Sequence, residues 1–418
     1  MVYLLIKKDK YMNTSKKNYY EMIYVQLITE FPDKPWITHI SQLIEKKGDK
    51  INVLGDKSIT YGLYLFDSDL RNTEDMYLRN IISEAIFYSY NFLFLLNEVK
   101  ETKNKEKLKA KFRAAFIEAD AMRAIQFEIF SYIFLKRAGN VVECMDYSPS
   151  SDNFDYLVID NFNIKTQVEC KSFSYERGLY ITAGQANSIR EKVLVSHQSK
   201  LTNLLNEPLN MLCSITINVN SNIGRDDESL NDFVEKIAKA LDNGSSQKND
   251  QFEIYIEKFK DLKNIQDEFV FQDVQLKSQT IELVACTSQP EGCNSRVHLR
   301  VTSELTEGYL KKFEKTCKEA AKRQLKKDKP ASIFVHFTNG FILKDSVNQK
   351  EFKRSISKIF EKNHLTNLVF VTNINIEEQK EFPYFTMQPV FLIAENRNSR
   401  FNSNFLDHVP NKRFIDLT

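Results

Sequence analysis

Two runs in the stretch 154–173, FDYLVIDNFNIKTQVECKSF, read as apolar strands, yet Asp155, Glu169 and Lys171 interrupt them. Side chains alternate across a strand, so Glu169 and Lys171 project to one face while Val168 and Cys170 project to the other. If the link is the three-residue turn Asn161-Phe162-Asn163, Asp160 pairs with Ile164 and Asp155 falls opposite Glu169. A two-residue link would send the carboxylates to opposite faces. Asn tolerates the left-handed conformation that such turns commonly need at their last position. Facing carboxylates repel unless something positive sits between them. Oxygens from Asp155 and Glu169, the backbone carbonyl of Cys170 and water make a typical site for a hard divalent ion, Mg²⁺ or Mn²⁺. Lys171 is close enough to orient or deprotonate a water, or to stabilise charge building on a phosphate. Together these groups suit phosphodiester hydrolysis.

The elements around the hairpin form an α/β pattern. FRAAFIEADAMRAIQFEIFSYIFLKRAG (112–139) predicts a helix ending at Gly139, followed by strands in NVVECMDY, FDYLVID and IKTQVECKSF. ANSIREKVLVSHQSKLTNLLN then reads as a helix and MLCSITINV as a buried strand. Four regions result: a helical N-terminal region at 1–110, an α/β core at 111–220, an insertion or small accessory domain at 221–305, and an α/β extension at 306–418 that is compatible with continuing the core sheet. The stretch KETKNKEKLKAKF is expected to be a linker or a solvated helix.

The order of Glu128 in a helix, Asp155 at a strand and Glu169-Cys170-Lys171 on the next strand resembles the PD-(D/E)xK, or restriction-endonuclease-like, nucleases over roughly 115–220. The position that usually holds proline in this family is Phe154 here. The resemblance implies a central mixed sheet flanked by helices, with Mg²⁺ (or Mn²⁺) on Asp155 and Glu169. It makes Lys171 catalytic and Glu128 a supporting acid that acts through one of the metal's other ligands or through a second ion; Glu118 and Asp120 are weaker substitutes. A Gln on the following helix is common in the family, and Gln185 or Gln198 would take that place. Arg177, Arg190, Lys192 and Lys200 cluster after the motif, either as phosphate contacts or as a solvated helix face. The implied activity is metal-dependent cleavage of DNA in preference to RNA. The domain layout resembles bacterial defence effectors and restriction enzymes, with a partner protein supplying ATPase or sensing.

Each residue also has a plain reading. Asp155 can end an edge strand, Glu169 and Lys171 can form a weak same-face ion pair, and a helix Glu such as Glu128 is usually solvated. On those readings the chain is a non-catalytic nucleic-acid-binding or scaffold subunit, or an interaction protein without a nucleic-acid role. Lys+Arg of 58 against Asp+Glu of 56 gives no global basic signal, so any nucleic-acid surface must be local. The helix LKKFEKTCKEAAKRQLKK, with charges expected round most of its circumference, reads first as a solvated surface that can also touch nucleic acid. The six cysteines, at 144, 170, 213, 286, 293 and 317, lack zinc spacing and read as reduced. GDKINVLGDKS lacks the GxxxxGK[ST] spacing of a phosphate-binding loop. About five apolar residues at the N-terminus are too few for a signal peptide, and no run approaches the roughly 18 residues of a membrane span. A cytoplasmic protein without a membrane partner is expected; homo-oligomerisation stays open.

Overall fold

The computed structural model describes residues 2–4, 16–47, 58–68, 76–99, 101–117, 119–145, 154–173, 179–197, 199, 201, 212–224, 226–259, 281–288, 296–303, 308–337, 350–372, 376–378, 385–387, 389–407 and 412–417. Among them the chain is α/β, with ten helices and fifteen strands. It divides into two compact units, 1–174 with 312–418, and 175–311.

In the first unit, β1 (Val2–Leu4) precedes six helices. These are α1 (Lys16–Glu30), α2 (Pro35–Lys47), α3 (Ser58–Asp67), α4 (Met76–Glu98), α5 (Thr102–Ala115) and α6 (Ala119–Arg137). The strands β2 (Val141–Cys144), β3 (Tyr156–Ile159) and β4 (Lys165–Phe173) follow. The second unit holds α7 (Ala183–Ser196), β5 (Leu212–Val219), α8 (Asp227–Asp242), β6 (Gln247–Lys248), β7 (Phe252–Phe259), β8 (Ile281–Ser288) and β9 (Arg296–Ser303). The chain returns to the first unit along α9 (Gly308–Arg323), then β10 (Ala331–Phe337), α10 (Lys350–Ile359), β11 (Leu365–Thr372), β12 (Ile376–Glu378), β13 (Phe385–Met387), β14 (Val390–Glu395) and β15 (Lys412–Phe414).

The main sheet of the first unit is seven-stranded and mixed, in the order β15-β14-β11-β10-β4-β3-β2. At its centre β10 runs parallel to both β4 and β11. All seven residues of β10 are buried, as expected of a parallel strand covered on both faces. On one face α6 packs through Phe127, Phe130 and Phe134 against His336 and Phe391. On the other, Phe313 of α9 and Phe352 of α10 pack on Phe173, Phe337 and Phe370. The second unit has its own five-stranded mixed sheet, β6-β7-β5-β9-β8, and its own core. Among the described residues no helix is long and apolar enough to cross a membrane.

Several boundaries differ from those the sequence suggested. The expected core at 111–220 is divided: 111–174 lies in the first unit, while α7 and β5 belong to the second. Local periodicity identifies a strand but not the sheet it joins, because β5 pairs with β7 and β9, far along the chain. The expected break near 110 falls inside α5, and 1–110 shares one apolar core with the sheet. Stacking of Phe92 on Phe112, with centroids 3.9 Å apart, joins the two sides of that boundary. The single helix expected at 112–139 is two, α5 and α6. Gly139 does end α6, with φ +87° and the Asn140 N–H reaching the Leu135 carbonyl at 3.3 Å. The charges of α9 are not spread round most of the helix, since Phe313, Cys317, Ala320 and Ala321 form a buried stripe along it.

Candidate active site

The β3–β4 hairpin sets the geometry. Its link is Asn161-Phe162-Asn163, and Asn163 takes φ +61°. Asp160 Oδ1 braces the turn by accepting from the N–H groups of Phe162 (2.8 Å) and Ile164 (2.9 Å). The Asp160 N–H bonds the Ile164 carbonyl, and Tyr156 pairs with Val168. The same register puts Asp155 across from Glu169, just before β3 begins, where β4 keeps only β10 as its neighbour. Odd-numbered residues of β4 share a face, so Lys171 follows Glu169 there.

At this strand end the polar groups engage one another. Asp155 Oδ2 accepts the Cys170 N–H at 2.6 Å, and the Met145 N–H bonds the Asp155 carbonyl at 2.9 Å. Lys171 Nζ forms an ion pair with Glu169 Oε1. Glu169 is 2% exposed and Asp155 8%. Carboxylates this deeply buried need a cation or donors close by. Burial works against the charge on Lys171, but the Glu169 carboxylate, with Asp155 adding to it, outweighs that and raises the ammonium above its ordinary value. Burial, then the charge of Asp155, pushes the Cys170 thiol well above its usual range. The Cys170 side chain projects to the face of β4 opposite Glu169 and Lys171, so its sulfur does not share their site. By the alternation of ladder bonds, the Cys170 carbonyl lies on the β3 side of its strand, as its N–H does.

Glu128 reaches the same end of β3 and β4 from α6, on the opposite face of the sheet. Its charge acts on Cys170 together with those of Asp155 and Glu169. The Tyr156 hydroxyl donates to the Glu128 main-chain carbonyl at 2.9 Å, fastening α6 to β3. Lys111 Nζ of α5 contacts the Glu128 carboxylate at 2.6 Å. Nothing in the sequence singled out Lys111, one of many lysines in a charged run, and only the packing of α5 on α6 reveals it.

Gln185 belongs to the second unit, where it completes a capping box with Thr182 at the start of α7 and donates to the Ile223 carbonyl at 3.3 Å. In the same unit Lys192 donates to Asn231 at 2.6 Å, and Arg190 lies 3.7 Å from Glu191. Arg177, Gln198 and Lys200 fall outside the described residues, as do the side chains of Glu118 and Asp120. Among the described residues, no three or more His, Cys, Asp and Glu side chains are gathered as a metal-holding group. The carboxylates that face each other at this strand end are Asp155 and Glu169. Comparison with known proteins adds no relative: no family model matches the chain, and no curated protein or solved structure is significantly similar to it.

Proposed function

We propose that the chain is a metal-dependent nuclease with a restriction-endonuclease-like core, hydrolysing phosphodiester bonds in DNA. The observation that carries this reading is the register of the β3–β4 hairpin, which sets Asp155 against Glu169 with Lys171 on the same face. The donor chemistry fits Mg²⁺ or Mn²⁺: two carboxylates and the Cys170 carbonyl are all oxygen donors, and Mg²⁺ commonly takes one or two carboxylates and keeps several waters. Asp155 and Glu169 would hold the ion, which when bound makes a coordinated water more acidic and polarises a phosphate oxygen. The chain's own residues supply the rest. The Cys170 N–H fixes the Asp155 carboxylate before substrate arrives, and the ammonium of Lys171 puts positive charge where it builds on the phosphate oxygens. Glu128 supports the site from the opposite face of the sheet. In the cytoplasmic defence or restriction setting implied by the resemblance, a partner protein would supply ATPase or sensing.

A second reading, a non-catalytic nucleic-acid-binding or scaffold subunit, is favoured by the pairing of Lys171 with Glu169 and of Lys111 with Glu128, which balances charge without an ion. Incubation with plasmid, linear duplex, single-stranded DNA or RNA, with and without Mg²⁺, separates the two. The nuclease reading expects cleavage of duplex DNA only with the metal present. Binding without cleavage of any of the four, in Mg²⁺ and in Mn²⁺, selects the second reading.

A further inference from the structure

We infer that the outer faces of α9 and α10 together form a track that grips the phosphate backbone of duplex DNA. The inference rests on the nuclease reading, because duplex DNA is the substrate of that reading. Burial of Phe313, Cys317, Ala320 and Ala321 turns Lys312, Lys315 and Lys322 outward, and exposed Lys326 continues the line in the following turn. On α10, burial of Phe352, Ile356 and Ile359 turns Lys350 and Arg354 outward. The helices lie side by side: Phe313 stacks on Phe352 at 5.6 Å, and Lys358 Nζ lies 3.4 Å from Glu314. Lys318 also contacts Glu314, at 2.8 Å, so two lysines neutralise that acid within the helix pair. The exposed acids left on the two helices are Glu319 and Glu351.

The occupant follows from charge and from what the surface lacks. Lys312 to Lys322 spans about 15 Å of helix, along which B-DNA carries about nine phosphate charges. Single-strand tracks stack bases on exposed aromatic rings. Among the described residues, none of the exposed large apolar side chains lies on α9 or α10. The row Lys312, Lys315, Lys322 and Lys326, broken on its stripe by Glu319 alone, keeps a net positive charge that suits a duplex backbone. The same helices cover the sheet face that carries Glu169 and Lys171, for Phe313 packs at 5.8 Å on Phe173, the next residue of that face after Lys171.

The test is fluorescence anisotropy of the full chain with a labelled duplex of about 20 base pairs, in EDTA, between about 50 and 200 mM salt. The triple variant Lys315→Glu, Lys322→Glu, Lys326→Glu is compared with Lys103→Glu, Lys105→Glu, Lys107→Glu on α5, which changes net charge equally. The α9 variant should bind at least about tenfold more weakly near 100 mM salt, with a log–log salt slope shallower by about 3, and the α5 variant within about threefold of wild type. Thermal melts check that both variants fold; if the α9 variant does not, the Lys→Gln triple replaces it. Equal losses in the two variants, no loss on α9, or tighter binding of single-stranded DNA or duplex RNA than of duplex DNA would overturn the track. Binding is read without metal, so the two ideas fail separately. Intact, α9-dependent binding without cleavage in Mg²⁺ sinks the nuclease reading alone, whereas undiminished cleavage by the α9 variant near 150 mM salt sinks the track alone.

Discussion

Just before β3 begins, the N–H of Cys170 lacks a ladder partner, and the Asp155 carboxylate takes that place at 2.6 Å. One side chain thus both satisfies a buried backbone donor and faces Glu169 across the hairpin. Asp155→Asn keeps an acceptor, while Asp155→Ala leaves the buried N–H unmade at a cost of roughly 1–3 kcal/mol. Urea unfolding should therefore find the Asn variant close to wild type and the Ala variant less stable by that amount. An Ala variant as stable as wild type would show that the bond anchors nothing. At this scale the sequence was informative, because charged residues in apolar strands stand out and an odd-length Asn turn fixes their face. Lys111 was not legible: its pairing with Glu128 exists only once two helices are packed.

Two features hold the hairpin and the central strand in register. Asn163, at φ +61°, occupies backbone space that a β-branched residue resists, so Asn163→Val should destabilise the protein by about 1–2 kcal/mol and Asn163→Gly should not. Gln167, fully buried on β4, donates to the Lys326 carbonyl at 2.9 Å and accepts from the Lys326 N–H at 2.8 Å. Gln167→Leu strands both backbone groups and should cost roughly 2–4 kcal/mol, read as a lowered urea midpoint at unchanged slope. An unchanged midpoint would mean that the turn after α9 relaxes to other partners. The strands β2 to β5 were readable from their apolar runs and flanking turns. Their neighbours were not: β4 pairs with β10, more than 150 residues later, and no local pattern encodes such a partner. For the same reason α7 and β5 looked like a continuation of the hairpin unit, although they build the second sheet.

At the scale of the molecule, the first unit closes around a buried histidine. His336 of β10 stacks on Phe127 at 5.0 Å, and burial, helped by the charge of Arg123, lowers its pKa to about 3. The folded state holds this ring neutral while the unfolded chain protonates it below about pH 6.5, so stability falls as pH drops from there toward 3. At pH 5 the loss from His336 amounts to about 2 kcal/mol. His336→Phe keeps a ring and removes the proton site; its stability should fall less than that of wild type between pH 7 and pH 5, by about that difference in urea unfolding. Equal losses would contradict the assignment. The central claim, that Asp155, Glu169 and Lys171 act as one hydrolytic site, is tested most directly by single-turnover cleavage of duplex DNA in Mg²⁺. The proteins compared are wild type, Asp155→Asn, Lys171→Ala and the double variant, each shown to fold. Groups that work as a unit lose activity together, so each single variant should fall by at least about 10²-fold and the double little further. Cleavage by both single variants at the wild-type rate would contradict the account.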